Sequence, residues 1–277
     1  KYNLFDESKI IEISYDLQSG EYIKKFNKYK KKYENLCFEI LKILNKNFKK
    51  VDSILDCGCG EMTNTSLFFN NIKCKNYLCF DISLNRLIFG KEFLKKNIKD
   101  SVKNKIKVFS ANLDSIPLPS NSIDILITLH AIEPNAKKSQ NIIKELYRVC
   151  KKGMILNEPN FIGADKVQKK RMKRYNYATK IESNIQELGL KYKKYLFKNS
   201  INLKNKTASF VIFKKQQRQN KINFVDPYFE RPILNHKYFY SSKFLNQVYF
   251  VFDNIPIFDF WNSKFVTNKK LLNDKFK

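Results

Sequence analysis

Residues 53–66 read SILDCGCGEMTNTS, and this stretch decides how the rest of the chain is interpreted. Two glycines, Gly58 and Gly60, stand two positions apart and directly follow the short apolar run at 51–57. Glycine lets a backbone turn tightly and approach a ligand closely. A buried strand that ends in such a turn predicts a loop bent around a small ligand, with Asp56 at the strand end, where its carboxylate can meet an amino group.

The flanking cysteines, Cys57 and Cys59, raise the alternative of a metal or redox site. Zinc ligands follow characteristic spacings of Cys and His. The Cys-x-Cys pair and the Cys-x4-Cys pair at 74–79 do not have those spacings, and both histidines of the chain lie far away in sequence. The sequence therefore predicts no metal and six reduced thiols in the protein core.

Composition sets the scale of the molecule. The chain has 277 residues, 43% of them hydrophobic, with no apolar stretch long enough for a membrane span. We expect a cytoplasmic protein with one large α/β domain and a small appendage, and no membrane insertion. The net charge of +27 favours nucleic acid, an anionic membrane surface or a phosphorylated small substrate, unless lysine is simply the default surface residue.

Apolar runs alternate with helical patterns over most of the chain. The predicted strands are 51–57, 77–83, 105–113, 122–132, 153–160, 191–197 and 207–215, with helices between them and two more at 7–19 and 21–50. Strands that alternate with helices indicate a parallel sheet with helices on both faces. The last two strands are predicted to form an antiparallel hairpin.

The acidic residue Asp81 ends the second predicted strand, 25 residues after Asp56. There it can accept hydrogen bonds from both hydroxyls of a ribose, because ligands of such sheets bind at the carboxyl ends of the strands. Together with the glycine turn it forms a much more specific pattern than the two glycines alone.

Four stretches occur in the order typical of one enzyme family: ILDCGCG (54–60), CFDIS (79–83), ANLDSIPLPSNSIDILIT (111–128) and ELYRVCKKGMILNEPN (145–160). Over about residues 45–215 the chain resembles the class I S-adenosylmethionine (SAM)-dependent methyltransferases. The resemblance implies a Rossmann-like seven-stranded sheet with its last strand antiparallel, SAM as cofactor and S-adenosylhomocysteine as product. The cofactor-binding residues that it implies are Asp56, Gly58, Gly60, Asp81, Ile82, Asn112, Leu113 and Thr128.

Two residues depart from the family pattern. Met62 stands where a third glycine is common, and Asn112 stands where an adenine-reading Asp is common. The amide oxygen of Asn112 can still accept a hydrogen bond from the adenine amino group. A dinucleotide dehydrogenase is the rival interpretation, but its fingerprint requires a third glycine at position 63, which is Thr63.

Methyl transfer needs a positioned acceptor and, for a hydroxyl acceptor, a base. His130 ends the fourth predicted strand and is a candidate base, although it could instead be structural or contact the methionine part of SAM. Glu158, after the fifth strand, is a second candidate base or a ligand of acceptor hydroxyls. Glu133 could bind substrate or cap a helix.

Other candidate substrate-binding residues lie outside these motifs. The segment 14–26 is expected to fold over the cofactor as a lid, with Tyr15, Gln18 and Tyr22 at the ligand, unless it only packs as helix. The basic stretch 166–198 is expected to build the acceptor pocket, with Arg171, Arg174 and Tyr177 gripping a phosphate or sugar, unless its charges are a solvated helix face.

The segment 224–260 is aromatic and resembles a small Trm112-like domain without its zinc-binding cysteines. The resemblances divide the chain into an N-terminal helical lid region (1–50), a methyltransferase domain (51–215) and a metal-free β-rich module (222–277), which we expect to be separate. The first predicted function is O-methylation of a sugar or phosphorylated small molecule in bacterial capsule or surface-polysaccharide biosynthesis. An RNA methyltransferase and a non-catalytic SAM-binding protein are the alternatives.

Overall fold

The computed structural model describes residues 7–197, 206–215 and 217–266. Two helices, α1 (Glu7–Asp16) and α2 (Glu21–Asn47), come first and are separated by a short turn. Gly20 ends this turn with a φ of 93°, a conformation that glycine adopts without strain. The two predicted N-terminal helices are therefore present, with slightly earlier ends.

Helices and strands then alternate, as the apolar pattern predicted. Their bounds are β1 (Ser53–Cys57), α3 (Thr63–Asn71), β2 (Asn76–Asp81), α4 (Leu84–Asn97), α5 (Asp100–Lys103), β3 (Ile106–Ala111), β4 (Ile123–Leu129), α6 (Ser139–Val149), β5 (Cys150–Pro159), α7 (Lys166–Arg174), α8 (Ile181–Glu187), β6 (Tyr192–Leu196) and β7 (Thr207–Phe213).

These seven strands lie in the order β6-β7-β5-β4-β1-β2-β3. β1 to β5 are parallel to one another, and β7 is antiparallel to both β5 and β6. The predicted antiparallel hairpin is confirmed. Parallel pairing brings the carboxyl ends of β1, β2, β3 and β4 to one edge of the sheet, where a cavity lies.

The sheet does not stop at seven strands. The tail contributes β8 (Leu234–Asn235), β9 (Phe239–Ser242), β10 (Gln247–Phe252), β11 (Ile255–Phe258) and β12 (Lys264–Phe265). β11 pairs in parallel with β3, so one sheet contains twelve strands of the described chain. The prediction of seven strands is corrected accordingly, because sequence patterns do not show which strand covers the open edge of β3.

The tail also shares the main hydrophobic core. One face of the sheet packs Leu55, Phe80 and Phe109 together with Tyr249 and Phe258 of the tail, all of them fully buried. Truncating a buried Phe to Ala typically costs about 3–5 kcal/mol, so Phe258 ties the tail firmly to the sheet. The expected separate module is therefore packed as an extension of the main sheet, whereas the predicted domain boundaries stay a prediction.

The opposite face of the sheet is covered by α2, α3 and α4. Residues that alternate with those of the first face, such as Ile54 and Cys79, pack here against Leu44 of α2. The six cysteines are unpaired thiols. Within the described ranges, every helix is too short or too polar to cross a membrane.

Candidate functional site

A cavity of about 780 Å³ lies between the carboxyl ends of β1 to β4 and the corner of α1 and α2. Its volume falls in the range of about 300–1,000 Å³ that is usual for small-molecule sites. The predicted site residues that line it are Tyr15, Gln18, Tyr22, Gly58, Gly60, Asp81, Ile82, Asn112, Leu113, His130, Glu133, Arg171 and Tyr177. Asp56, Thr128, Glu158 and Arg174 are not among its lining residues.

The glycine turn after β1 forms the floor of the cavity. Gly58 has a φ of 74°, and a Cβ there would collide with the side chain of Ala131. The Gly58 N–H donates to the carbonyl of Phe80 at 2.9 Å, which holds the turn against the end of β2. Met62, at the position of the missing third glycine, adopts a left-handed φ of 55° and is fully buried. The stretch 53–66 therefore contains a bent loop at a cavity.

Asp81 connects this turn to the start of α4. Its carboxylate accepts the Gly60 N–H at 2.8 Å and the Ser83 N–H at 2.9 Å. Burial raises the pKa of Asp81, and these two hydrogen bonds together with Arg86 oppose the shift. Since each carboxylate oxygen can accept more than one hydrogen bond, Asp81 keeps capacity for ligand hydroxyls.

Asp56 does not reach the cavity, contrary to its predicted contact with the ligand amino group. Its side chain is buried and accepts the hydroxyl of Thr65 on α3. Burial raises the pKa of Asp56 to about 7, against the effect of the Thr65 hydrogen bond. The geometry gives Asp56 a structural role, because it fixes α3 to the strand that carries the glycine turn.

His130 is held in an unusual conformation at the end of β4. Its φ is 57°, its Nδ1 is hydrogen-bonded to Glu133, and its Nε2 lies 3.3 Å from the Thr207 hydroxyl oxygen. Burial alone lowers the pKa of His130, but the hydrogen bond and charge of Glu133, with the charge of Glu158, raise it above its usual value. With the Nδ1 proton directed at Glu133, Nε2 of the neutral ring is the basic nitrogen, and in this structure it accepts a hydrogen bond from the Thr207 hydroxyl.

Glu158 stabilises the turn at residues 130–133. It is fully buried, and its carboxylate accepts the backbone N–H groups of Ala131, Ile132 and Glu133 at 3.1–3.2 Å. Burial raises the pKa of Glu158 to about 7, partly offset by His130. The proposed role as a base at the acceptor is therefore replaced by a positioning role. Thr128 is likewise buried in β4, away from the cavity.

The corner between α1 and α2 is fixed to the glycine turn by a residue that the sequence analysis missed. Glu61 is buried, and its carboxylate accepts the N–H groups of Gly20 at 2.9 Å and Ile23 at 2.8 Å. A carboxylate at a helix N-terminus satisfies unpaired N–H donors and the helix dipole. Its position next to Gly60 was the available signal, but sequence cannot show which helix it caps.

Arg86 is the second residue that was missed. It is buried at the cavity wall, donates from Nε to the carbonyl of Tyr15 at 3.2 Å, and its guanidinium carbon lies 4.1 Å from the Tyr15 ring centroid. The Tyr22 ring centroid is 4.6 Å away. Cation–π contacts of this kind hold both predicted lid tyrosines over the turn. Nothing in the sequence distinguishes Arg86 from a surface arginine.

The wall opposite the glycine turn belongs to α7 and the residues after it. The Arg171 guanidinium lies 5.0 Å from the Tyr175 ring centroid and 5.5 Å from that of Tyr177, and Arg171 and Tyr177 both line the cavity. The N–H of Ala178 donates to the carbonyl of Glu133 at 2.8 Å, which joins this wall to the His130 turn. Arg174 is exposed and outside the cavity.

Comparison with known proteins adds a family match for the central part of the chain. Residues 55–156 match the family model described as "Methyltransferase domain". No curated protein is significantly similar to the chain.

Solved structures share the fold. Magnesium protoporphyrin IX methyltransferase from Synechocystis PCC 6803 with bound SAM superposes with a TM-score of 0.56 at 11% identity, covering 77% of this chain and 100% of that one. A putative sarcosine dimethylglycine methyltransferase from Galdieria sulphuraria gives a TM-score of 0.50 at 15% identity, covering 66% and 85%.

Proposed function

Because the protein is a SAM-dependent methyltransferase, we propose that it methylates a hydroxyl group of a small anionic molecule, such as a sugar or a phosphorylated compound. The observation that carries this proposal is the placement of His130 and Arg171 on the same cavity. A base and a fixed cation in the same cavity suit a substrate that combines a hydroxyl with a negative charge.

The cofactor half of the proposal rests on residues that fit SAM. The bend at Gly58 leaves no room for a side chain, so backbone alone borders the cavity there. Asp81 has acceptor capacity left for two ribose hydroxyls, and Ile82 and Leu113 offer apolar contacts beside an adenine ring. When bound, SAM would supply an electrophilic methyl group on its sulfonium sulfur, with S-adenosylhomocysteine as the leaving thioether.

The chain's own contribution to the chemistry is proton removal and positioning. Nε2 of His130 accepts the proton of the acceptor hydroxyl, while Glu133 holds the other ring nitrogen and stabilises the imidazolium that forms. Glu158 keeps the 130–133 turn in place through three backbone N–H groups.

The wall formed by α7 and the lid would bind the acceptor. Arg171 provides a planar cation for a phosphate or carboxylate, and Lys25 of α2 also lines the cavity. Gln18, Tyr22 and Tyr177 offer hydrogen-bonding groups for sugar hydroxyls. The assignment to surface-polysaccharide biosynthesis, and the Trm112-like origin of the tail, rest on sequence resemblance.

RNA is the second candidate acceptor, since the net charge is +27. Purified enzyme and labelled SAM should be mixed separately with the small-molecule and RNA fractions of a cell extract. Label in the small-molecule fraction is the expected result. Label in RNA, with RNA binding that weakens steeply as salt increases, would replace the proposal with the RNA alternative.

A further inference from the structure

The carboxylate of Asp259 belongs to the tail but stands next to a residue of the cofactor cavity. Phe258 of β11 is paired with Ala111 of β3, so the residues that follow the two strands, Asp259 and Asn112, are neighbours. Asp259 is 3% exposed, whereas Asn112 lines the cavity. Asp81, Asn112 and Asp259 therefore lie at the ends of three successive strands of the sheet, β2, β3 and β11.

A hydrogen bond joins the two side chains. Nδ2 of Asn112 donates to Oδ1 of Asp259 at 3.0 Å. An ionised carboxylate has no proton to donate, so the Asn112 amide must present its NH₂ group to Asp259. The amide oxygen is then the group that Asn112 offers to a ligand.

Asp259 is itself held firmly. Its Oδ2 accepts a hydrogen bond from Nδ2 of Asn262 at 2.9 Å, while its Oδ1 accepts the one from Asn112. A buried carboxylate with a donor on each oxygen is held in one orientation, so it fixes the orientation of its Asn112 partner.

The same corner of the tail contacts the lid. Nδ2 of Asn262 lies 3.4 Å from Oε1 of Glu12 on α1, and Nζ of Lys9 lies 2.9 Å from Oε2 of Glu12. The adenine side of the cavity, the tail and the first helix thus form one hydrogen-bonded network.

We propose that Asp259 is a positioning residue for cofactor recognition: it fixes the Asn112 amide so that its oxygen accepts the 6-amino group of adenine. The tail then forms part of the cofactor site and contributes to its specificity for adenine over a 6-oxo purine. The inference depends on SAM as cofactor and on no assumption about the acceptor.

The test compares the affinities of S-adenosylhomocysteine and S-inosylhomocysteine by calorimetry, without any acceptor. Asp259→Asn leaves the Asn112 amide free to turn, so the preference for the adenine compound should fall by about threefold or more, the size expected for one hydrogen bond. Asn112→Asp places two carboxylates together and should lower the affinity for S-adenosylhomocysteine by about tenfold or more.

The double variant Asn112→Asp/Asp259→Asn exchanges donor and acceptor. The new amide at position 259 can donate to the new carboxylate at position 112, whose second oxygen remains free for adenine. We expect its affinity and preference to return most of the way to those of the wild type. This comparison with Asn112→Asp decides the matter if Asp259→Asn alone does not fold.

Asp226→Asn is the matched control. Asp226 is another buried tail carboxylate, which accepts the Tyr249 hydroxyl at 3.1 Å and lies outside the cavity. Its replacement should leave the adenine preference unchanged. An equal loss in this control, an unchanged preference in Asp259→Asn, or no recovery in the double variant would overturn the inference.

Discussion

The two halves of the cavity are built in different ways. The half that we propose for the cofactor consists of short turns at the ends of neighbouring strands, where Gly60 and Asp81 are hydrogen-bonded to each other at 2.8 Å. The acceptor half brings together side chains from distant segments, such as Tyr22 of α2, His130 after β4 and Arg171 of α7. Strand register fixes the first half, whereas separate packing contacts fix the second.

Because the two halves are built differently, mutations in each half should weaken the binding of a different ligand. Residues of the strand-end turns support one another, so a change there should weaken cofactor binding as a whole. Acceptor-side residues belong to separate elements, so each can be changed while the cofactor half stays intact.

The largest effect is expected at the base. His130→Asn keeps a residue that tolerates the left-handed backbone conformation but removes the imidazole. Loss of a general base typically lowers kcat by about 10²–10⁴-fold, and we expect a loss in this range with SAM affinity nearly unchanged. Labelled methyl transfer gives the rate, and calorimetry gives the affinity.

His236→Asn is the control for that variant, because the second histidine lies in the tail and bonds to Ser241. It should keep wild-type turnover. A His130→Asn enzyme with wild-type kcat would show that proton removal occurs elsewhere.

Asp81→Ala should have the next largest effect, this time on the cofactor half. It removes the proposed ribose contacts, each worth about 1.5–3 kcal/mol for a charged acceptor, and it frees the N–H of Gly60. SAM affinity should fall about a hundredfold or more in calorimetry, since about 1.4 kcal/mol corresponds to tenfold. Asp81→Asn, which keeps one acceptor oxygen, should lose less SAM affinity than Asp81→Ala. Unchanged binding by folded Asp81→Ala would refute its assignment to the ribose.

A smaller and more selective effect is expected at the acceptor wall. Arg171→Ala should raise the KM for an anionic acceptor about tenfold or more, in line with the loss of one charge-assisted hydrogen bond. SAM affinity should stay near that of the wild type. Arg174→Ala is the matched control, because Arg174 lies in the same helix outside the cavity. Equal effects of both variants on KM would indicate a diffuse electrostatic contribution instead of a specific contact.

The smallest effect is a shift in pH dependence. Glu133 raises the pKa of His130, and the base must be neutral to accept a proton, so activity should rise with pH through that elevated pKa. Glu133→Gln removes the negative charge, and the rising limb of the kcat/KM profile should move to lower pH. Glu145→Gln, whose partner is Arg148 on α6, should leave the profile in place. If Glu133→Gln does not shift the profile, the group whose titration limits activity is not His130.

The contrast between the halves also explains what could be predicted from sequence. Local patterns place β1 to β7 and the residues at their ends, and the predicted enzyme class and cofactor are confirmed. The pairing of β11 with β3 and the cap that Glu61 provides for α2 depend on contacts between segments far apart in the chain. Asp56 and Glu158 lie within β1 and β5 near their carboxyl ends, but a position near a strand end does not tell which way a carboxylate faces.

The parallel pairing of β11 with β3 has a consequence for biosynthesis. A ribosome releases β3 long before β11, so the nascent chain carries β3 as an open edge strand. Unpaired edges expose N–H and C=O groups that invite association with other chains, and contacts of long sequence separation form slowly. On our proposal for Asp259, the newly made protein therefore completes its adenine contact only after its tail has docked, and a chain that stops before Ile255 lacks Asp259 and keeps β3 as an exposed edge.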